Sequence, residues 1–81
     1  MRLVRVSWFD TIEHPTGWYE ASDIKDLEDA PLVHSYGLIL KQNEKTITLI
    51  ADLIPSDNTF GRGTTIPKGM IKDIKDISVI D

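Results

Sequence analysis

Two β-rich runs, Leu32 to Gln42 and Thr46 to Ile54, flank the polar tripeptide Asn43-Glu44-Lys45. A connection that short turns the chain back on itself, so the runs are expected to pair as an antiparallel hairpin. One face of the first run carries Val33, Ser35, Gly37 and Ile39; the other carries Leu32, His34, Tyr36, Leu38 and Leu40. A glycine inside a strand marks a sharp bend or the close approach of another backbone, which the coiled sheet of a small barrel requires.

The remaining segments extend this β reading. Isoleucine and valine number 11 and 4 against 7 leucines, a balance that favours strands. Arg2 to Phe9 alternates, with Val4, Val6 and Trp8 on one face and Leu3, Arg5, Ser7 and Phe9 on a partly wet one. Asp10 to Gly17 holds Pro15 and Gly17 and reads as a loop, after which Trp18 and Tyr19 resume an ordered segment. Ser22 is placed to cap a short helix running to Asp29, with Ile24 and Leu27 as its apolar stripe, and Pro31 stops it. Pro55 to Thr65 reads as a surface loop, Ile66-Pro67 as a strand end, and Lys68 to Ile71 as a tight turn. The isoleucines at 71, 74, 77 and 80 repeat every three residues, which suits a strand carrying a one-residue bulge. The expected fold is one mainly β domain over residues 1–81, a strongly bent, barrel-like sheet of about five strands with one short helix. Its expected core is Val4, Val6, Ile39, Ile47, Leu49, Ile50, Ile71, Ile74 and Ile77.

With 81 residues, 41% of them apolar, and no cysteine, this domain must be held by packing alone, without disulfides or thiolate metal sites. So small a core, with apolar or small side chains on both faces of residues 32–40, makes a homo-oligomer the expected state. The net charge of -4 conceals an asymmetry: residues 10–30 hold seven acids against Lys25 alone, and no basic stripe occurs elsewhere. Duplex nucleic acid is therefore not an expected partner. No apolar run is long enough to span a bilayer, and Met1-Arg2-Leu3-Val4-Arg5 is too broken by charge for a secretory signal, so a cytoplasmic location is expected and no membrane partner.

Val6-Ser7-Trp8-Phe9-Asp10, then Gly17-Trp18, then Ser35-Tyr36-Gly37 opening a strand, then Ile66-Pro67 with Ile71 four residues later, form an ordered set. In this order and spacing the chain resembles short proteins encoded by bacteriophages and prophages. The resemblance implies an SH3-like or Sm-like small β-barrel, a phage origin and the cytoplasm of a bacterial host, and it implies no particular activity.

Gly61-Arg62-Gly63-Thr64-Thr65 sets one guanidinium and two hydroxyls among flexible backbone amides, a combination suited to a phosphate or carboxylate. It lacks the lysine and frame of a P-loop. Arg5 is a second candidate cation, and Trp18 and Tyr36 are the candidate surfaces for stacking on a base. Trp8 shares its face with Val4 and Val6 and is expected in the core. His14 and His34 lack metal-ligand spacing, Ser35 lacks the context of a nucleophile elbow, and neither a metal, a cofactor nor catalysis is expected.

Three functional readings follow. One is a homo-oligomeric, non-enzymatic protein that sequesters a small anionic molecule at subunit interfaces, such as a cyclic nucleotide signal of bacterial anti-phage defence. Another is a module that docks onto a host or phage protein through its acidic segment and alters its activity. The third, an enzyme of nucleotide metabolism, lacks a catalytic constellation. On the first reading Arg62→Ala should weaken binding and Lys75→Ala should not.

Overall fold

A computed structural model of the chain describes residues 1–14, 16–23 and 30–77. These residues form seven strands: β1 (Leu3–Phe9), β2 (Leu32–Gln42), β3 (Thr46–Ile50), β4 (Asp52–Ile54), β5 (Thr59–Gly61), β6 (Thr64–Pro67) and β7 (Ile71–Asp76). Five of them form one antiparallel sheet in the order β6-β3-β2-β1-β7, while β4 and β5 pair only with each other. Two 3-10 turns, Ala21–Asp23 and Lys68–Met70, are the helical elements among the described residues.

The hairpin read from the sequence is β2 and β3. Its turn closes because the Asn43 side-chain oxygen accepts the backbone N–H groups of Lys45 and Thr46 at 2.8 and 2.9 Å. That is the local role for which asparagine is favoured in turns. Past the turn, the register is Gln42↔Ile47, Lys41↔Thr48, Ile39↔Leu49 and Leu38↔Ile50, with Leu40 as the extra residue of a bulge.

At the far end Gly37 is required. A Cβ on it would lie 2.9 Å from the Ile50 carbonyl oxygen and 3.2 Å from the Leu49 Cβ. The close backbone approach expected of a glycine inside a strand is the end of β3 crossing over β2.

Bending follows from connectivity. A flat five-stranded sheet would hold its edges about 19 Å apart, four spacings of about 4.8 Å. Here Lys68–Met70, a single 3-10 turn that rises only about 6 Å, leads from edge strand β6 to edge strand β7. The sheet curls to bring those ends together, and the bulges at Leu40 and Lys72 add twist.

The inner face of the curl is the core. Val4, Val6, Ile47, Leu49 and Ile66 are buried there, with Trp8, Ile39 and Ile71 packed against them. Trp8 donates its indole N–H to the Ser35 hydroxyl at 2.9 Å, which satisfies the one polar atom this side chain brings inward.

Several expectations are corrected. The run 46–54 is not one strand: it breaks at Ala51, where the chain leaves the main sheet for the β4–β5 pair. Pro55 to Thr65 is not a loop throughout, because β5 pairs back on β4 through Asp52↔Gly61, Leu53↔Phe60 and Ile54↔Thr59. Ile74 does not join the core; although it pairs with Val6, it stays 36% exposed. Ile66, absent from the expected core, is drawn in by pairing with Ile47. Ser7 is not wet but 1% exposed. Trp18 and Tyr19 belong to no strand or helix, and residues 24–29 of the expected helix lie outside the described ones. The bulged strand expected in the last segment is present over Ile71–Asp76, where Lys72 has no partner on β1.

Candidate functional site

The glycine-flanked arginine sits between β5 and β6, at the base of the β4–β5 pair. Asp52 is opposite Gly61, and this places its carboxylate within reach of the next side chain. Arg62 donates from Nε to Asp52 Oδ2 at 2.6 Å and from Nη2 to Oδ1 at 2.9 Å. These paired hydrogen bonds and the attraction between the charges hold the Asp52 carboxyl below its ordinary range and raise the guanidinium further. The cation expected to meet an anion is met by its own chain.

The backbone there is also committed. Arg62 itself has a φ of 52°, in the left-handed region, while neither flanking glycine does. Gly63 packs against an aromatic ring: a Cβ on it would lie 3.0 Å from the edge of the exposed Phe60 ring, which would have to give way slightly. Thr65 and Thr48 share a hydroxyl–hydroxyl hydrogen bond of 2.8 Å across β6 and β3, and Thr64 pairs with Leu49.

A different cluster forms on the outer face, where β1 lies between β2 and β7. Strand registers set the side chains in rows: Lys75, Arg5 and Tyr36 form one, and Asp73, Ser7 and His34 the next. Neighbours in a row are about 5 Å apart, and the rows are about 7 Å apart. Tyr36 is 63% exposed at the end of its row. Arg5 approaches Asp73 at 3.7 Å, too far for a good hydrogen bond, and both Arg5 Nε and Asp73 Oδ1 are buried with no hydrogen-bonding partner among the described residues. The charges of this patch are Arg5 and Lys75 against Asp73, so it is cationic on an acidic chain.

Asp73, Ser7 and His34 contain the residue types of a hydrolytic triad, but in an order that cannot act as one. Serine is in the middle, sharing a 2.7 Å hydrogen bond with His34 Nδ1, so Asp73 has no histidine to orient. The serine is also 1% exposed and out of reach of a substrate.

The structure thus brings two of the expected site residues together, Arg5 and Tyr36, which are direct cross-strand neighbours. Arg62, Gly61, Gly63, Thr64 and Thr65 lie at the β5–β6 end of the chain, with β3 and β2 between β6 and β1. Trp18 is fully exposed in the segment between β1 and the first 3-10 turn. Sequence reasoning set Lys75 outside the site and missed Asp73; both join the patch only through pairing of β1 with a strand some 70 residues distant. The alternation of β7 carried the signal, since it sets Asp73 and Lys75 on the face opposite Ile74.

Of metal chemistry, no group of three or more histidine or carboxylate side chains gathers among the described residues. Comparison of the chain with protein-family models, with curated proteins and with solved structures returned no match in any of the three.

Proposed function

We propose that this is a non-enzymatic binding protein that holds a small anionic molecule, foremost a cyclic or other small nucleotide, on the outer face of β1, β2 and β7. The observation that carries the proposal is the row Lys75, Arg5, Tyr36: two adjacent cations followed by an exposed aromatic ring. A nucleotide needs that combination, cations for phosphate and a flat apolar surface for the base. Stacking contributes about 1 to 3 kcal/mol per base and a charge-assisted hydrogen bond about 1.5 to 3.

The reading moves the binding cations from Arg62, bridged by Asp52, to Arg5 and Lys75. It keeps the resemblance to phage-encoded small barrels, with a nucleotide signal of bacterial defence as the captured molecule and the host cytoplasm as its place. An SH3-like barrel is supported by the antiparallel order β6-β3-β2-β1-β7 and by the 3-10 turn that joins the two edge strands.

Isothermal calorimetry across cyclic dinucleotides and nucleoside monophosphates tests this. The expected result is heat for at least one ligand, weakened about tenfold or more by Arg5→Ala and by Tyr36→Ala, with Arg62→Ala close to the parent. Absence of heat for all ligands with folded protein would favour the second reading, docking to a host protein. Trp18, fully exposed and lying in the sequence between Glu13 and Glu20, is the observation in favour of that reading.

A further inference from the structure

β7 ends the five-stranded sheet, so among the described residues one side of its backbone has no neighbouring strand. Its sequence through the next residue is Ile71-Lys72-Asp73-Ile74-Lys75-Asp76-Ile77. Lys72, Ile74, Lys75 and Asp76 are all exposed. An unpaired strand edge is a template for another strand, and isolated charges usually guard it. Here both signs alternate in a pattern that complements itself when reversed.

We propose that a second copy of this chain docks on that edge, β7 against β7 antiparallel, about a twofold axis through Ile74. In this register Ile74 meets the partner's Ile74, Asp73 meets the partner's Lys75, and Lys72 meets the partner's Asp76. Every charge then faces its opposite, and the side chain at the axis is apolar. Centring the pair on any other residue from 72 to 76 sets lysine against lysine or aspartate against aspartate at the axis.

Backbone polarity selects the same register. The Ile77 N–H donates to the Leu3 carbonyl at 3.0 Å, so residue 77 points its hydrogen-bonding groups at β1. By antiparallel alternation 75 and 73 do the same, and 76 and 74 point theirs at the open edge. Lys72 is the residue of the bulge and has no partner on β1. Pairing through Ile74 sets 74 against 74, edge-facing residues on both sides. Half-residue shifts would set edge-facing groups against groups already turned toward β1.

The pairing also extends existing charge contacts. Asp76 accepts from Arg2 at 2.9 Å, and would lie between Arg2 and the partner's Lys72. Asp73, at 3.7 Å from Arg5, would lie between Arg5 and the partner's Lys75. The joined sheet places two Lys75, Arg5, Tyr36 rows side by side on one face, although the docking itself needs no ligand.

Sedimentation equilibrium at tens of micromolar protein, without ligand, tests the interface on the parent chain, Lys72→Asp, Asp76→Lys and the double variant. The expected parent mass is twice 9.2 kDa. Each single change turns two cross-strand attractions into repulsions and should weaken association about tenfold or more, and the double change should restore it to within about threefold. A 9.2 kDa species at every concentration overturns the proposal, as does association that the single variants leave intact. Amide exchange in the parent is an independent check that needs no variant. The Ile74 N–H should become protected as protein concentration rises, and exchange that ignores concentration overturns the pairing. Calorimetry on the dissociated Lys72→Asp chain separates this outcome from that of the ligand site, because position 72 lies outside the Lys75, Arg5, Tyr36 row.

Discussion

Leu49, 3% exposed, faces the core, its Cβ 3.2 Å from where a Cβ on Gly37 would stand. Truncating it removes buried methyl groups from a domain with few of them, so Leu49→Ala should lower stability by about 2 to 5 kcal/mol in urea denaturation. Gly37→Ala fails for the opposite reason. The new methyl group would press on the Ile50 carbonyl at 2.9 Å, and the backbone must shift, at a cost of about 1 to 3 kcal/mol in the same assay. The Asp52–Arg62 pair makes a prediction in pH. The Asp52 carboxyl is held below its usual value of 3.8, so the bridge is complete above that pH and is lost as pH falls through the lowered folded value. Both side chains are exposed, and the change should be local. Amide shifts at Gly61 and Arg62 should titrate below the ordinary carboxylate range, and Asp52→Asn should abolish that step.

At the level of elements, what could be read from the sequence was what neighbouring residues decide. β1, and β2 as far as Ile39, are regular alternations, and their inner and outer faces are as the pattern sets them. The β2–β3 turn rests on one side chain, whose oxygen satisfies two backbone donors and so stabilises the hairpin. Asn43→Ala should cost about 1 to 2 kcal/mol in thermal denaturation, with the register of β2 and β3 intact. The break at Ala51 and the β4–β5 pair were not legible, because Thr46 to Ile54 is uniformly β-rich. What divides it is the crossing of Gly37 by Ile50, a contact between residues 13 apart. Ile66 and Ile74 show the same limit. Both are isoleucines on edge strands, each opposite a buried residue, Ile66 against Ile47 and Ile74 against Val6, yet Ile66 is buried and Ile74 is not, a difference that no local pattern encodes.

For the whole molecule, a mainly β, strongly bent sheet follows from β-branched composition, a short chain and a single 3-10 turn between its edges. The candidate site was half legible. Arg5 and Tyr36 stood out by residue type, but only the antiparallel pairing of β1 with β2 and β7 makes them neighbours of each other and of Lys75. Arg62 stood out more strongly and is engaged by a carboxylate from another strand, which local sequence does not reveal. The central claim is that the outer face of β1, β2 and β7 is the ligand surface. Amide chemical-shift mapping of isotope-labelled protein, titrated with the nucleotide that gives the largest calorimetric heat, tests it most directly. The account predicts that the perturbed amides centre on Arg5, Tyr36 and Lys75 and leave Gly61 to Thr65 unmoved; perturbations confined to Gly61 to Thr65, or to the segment around Trp18, would contradict it.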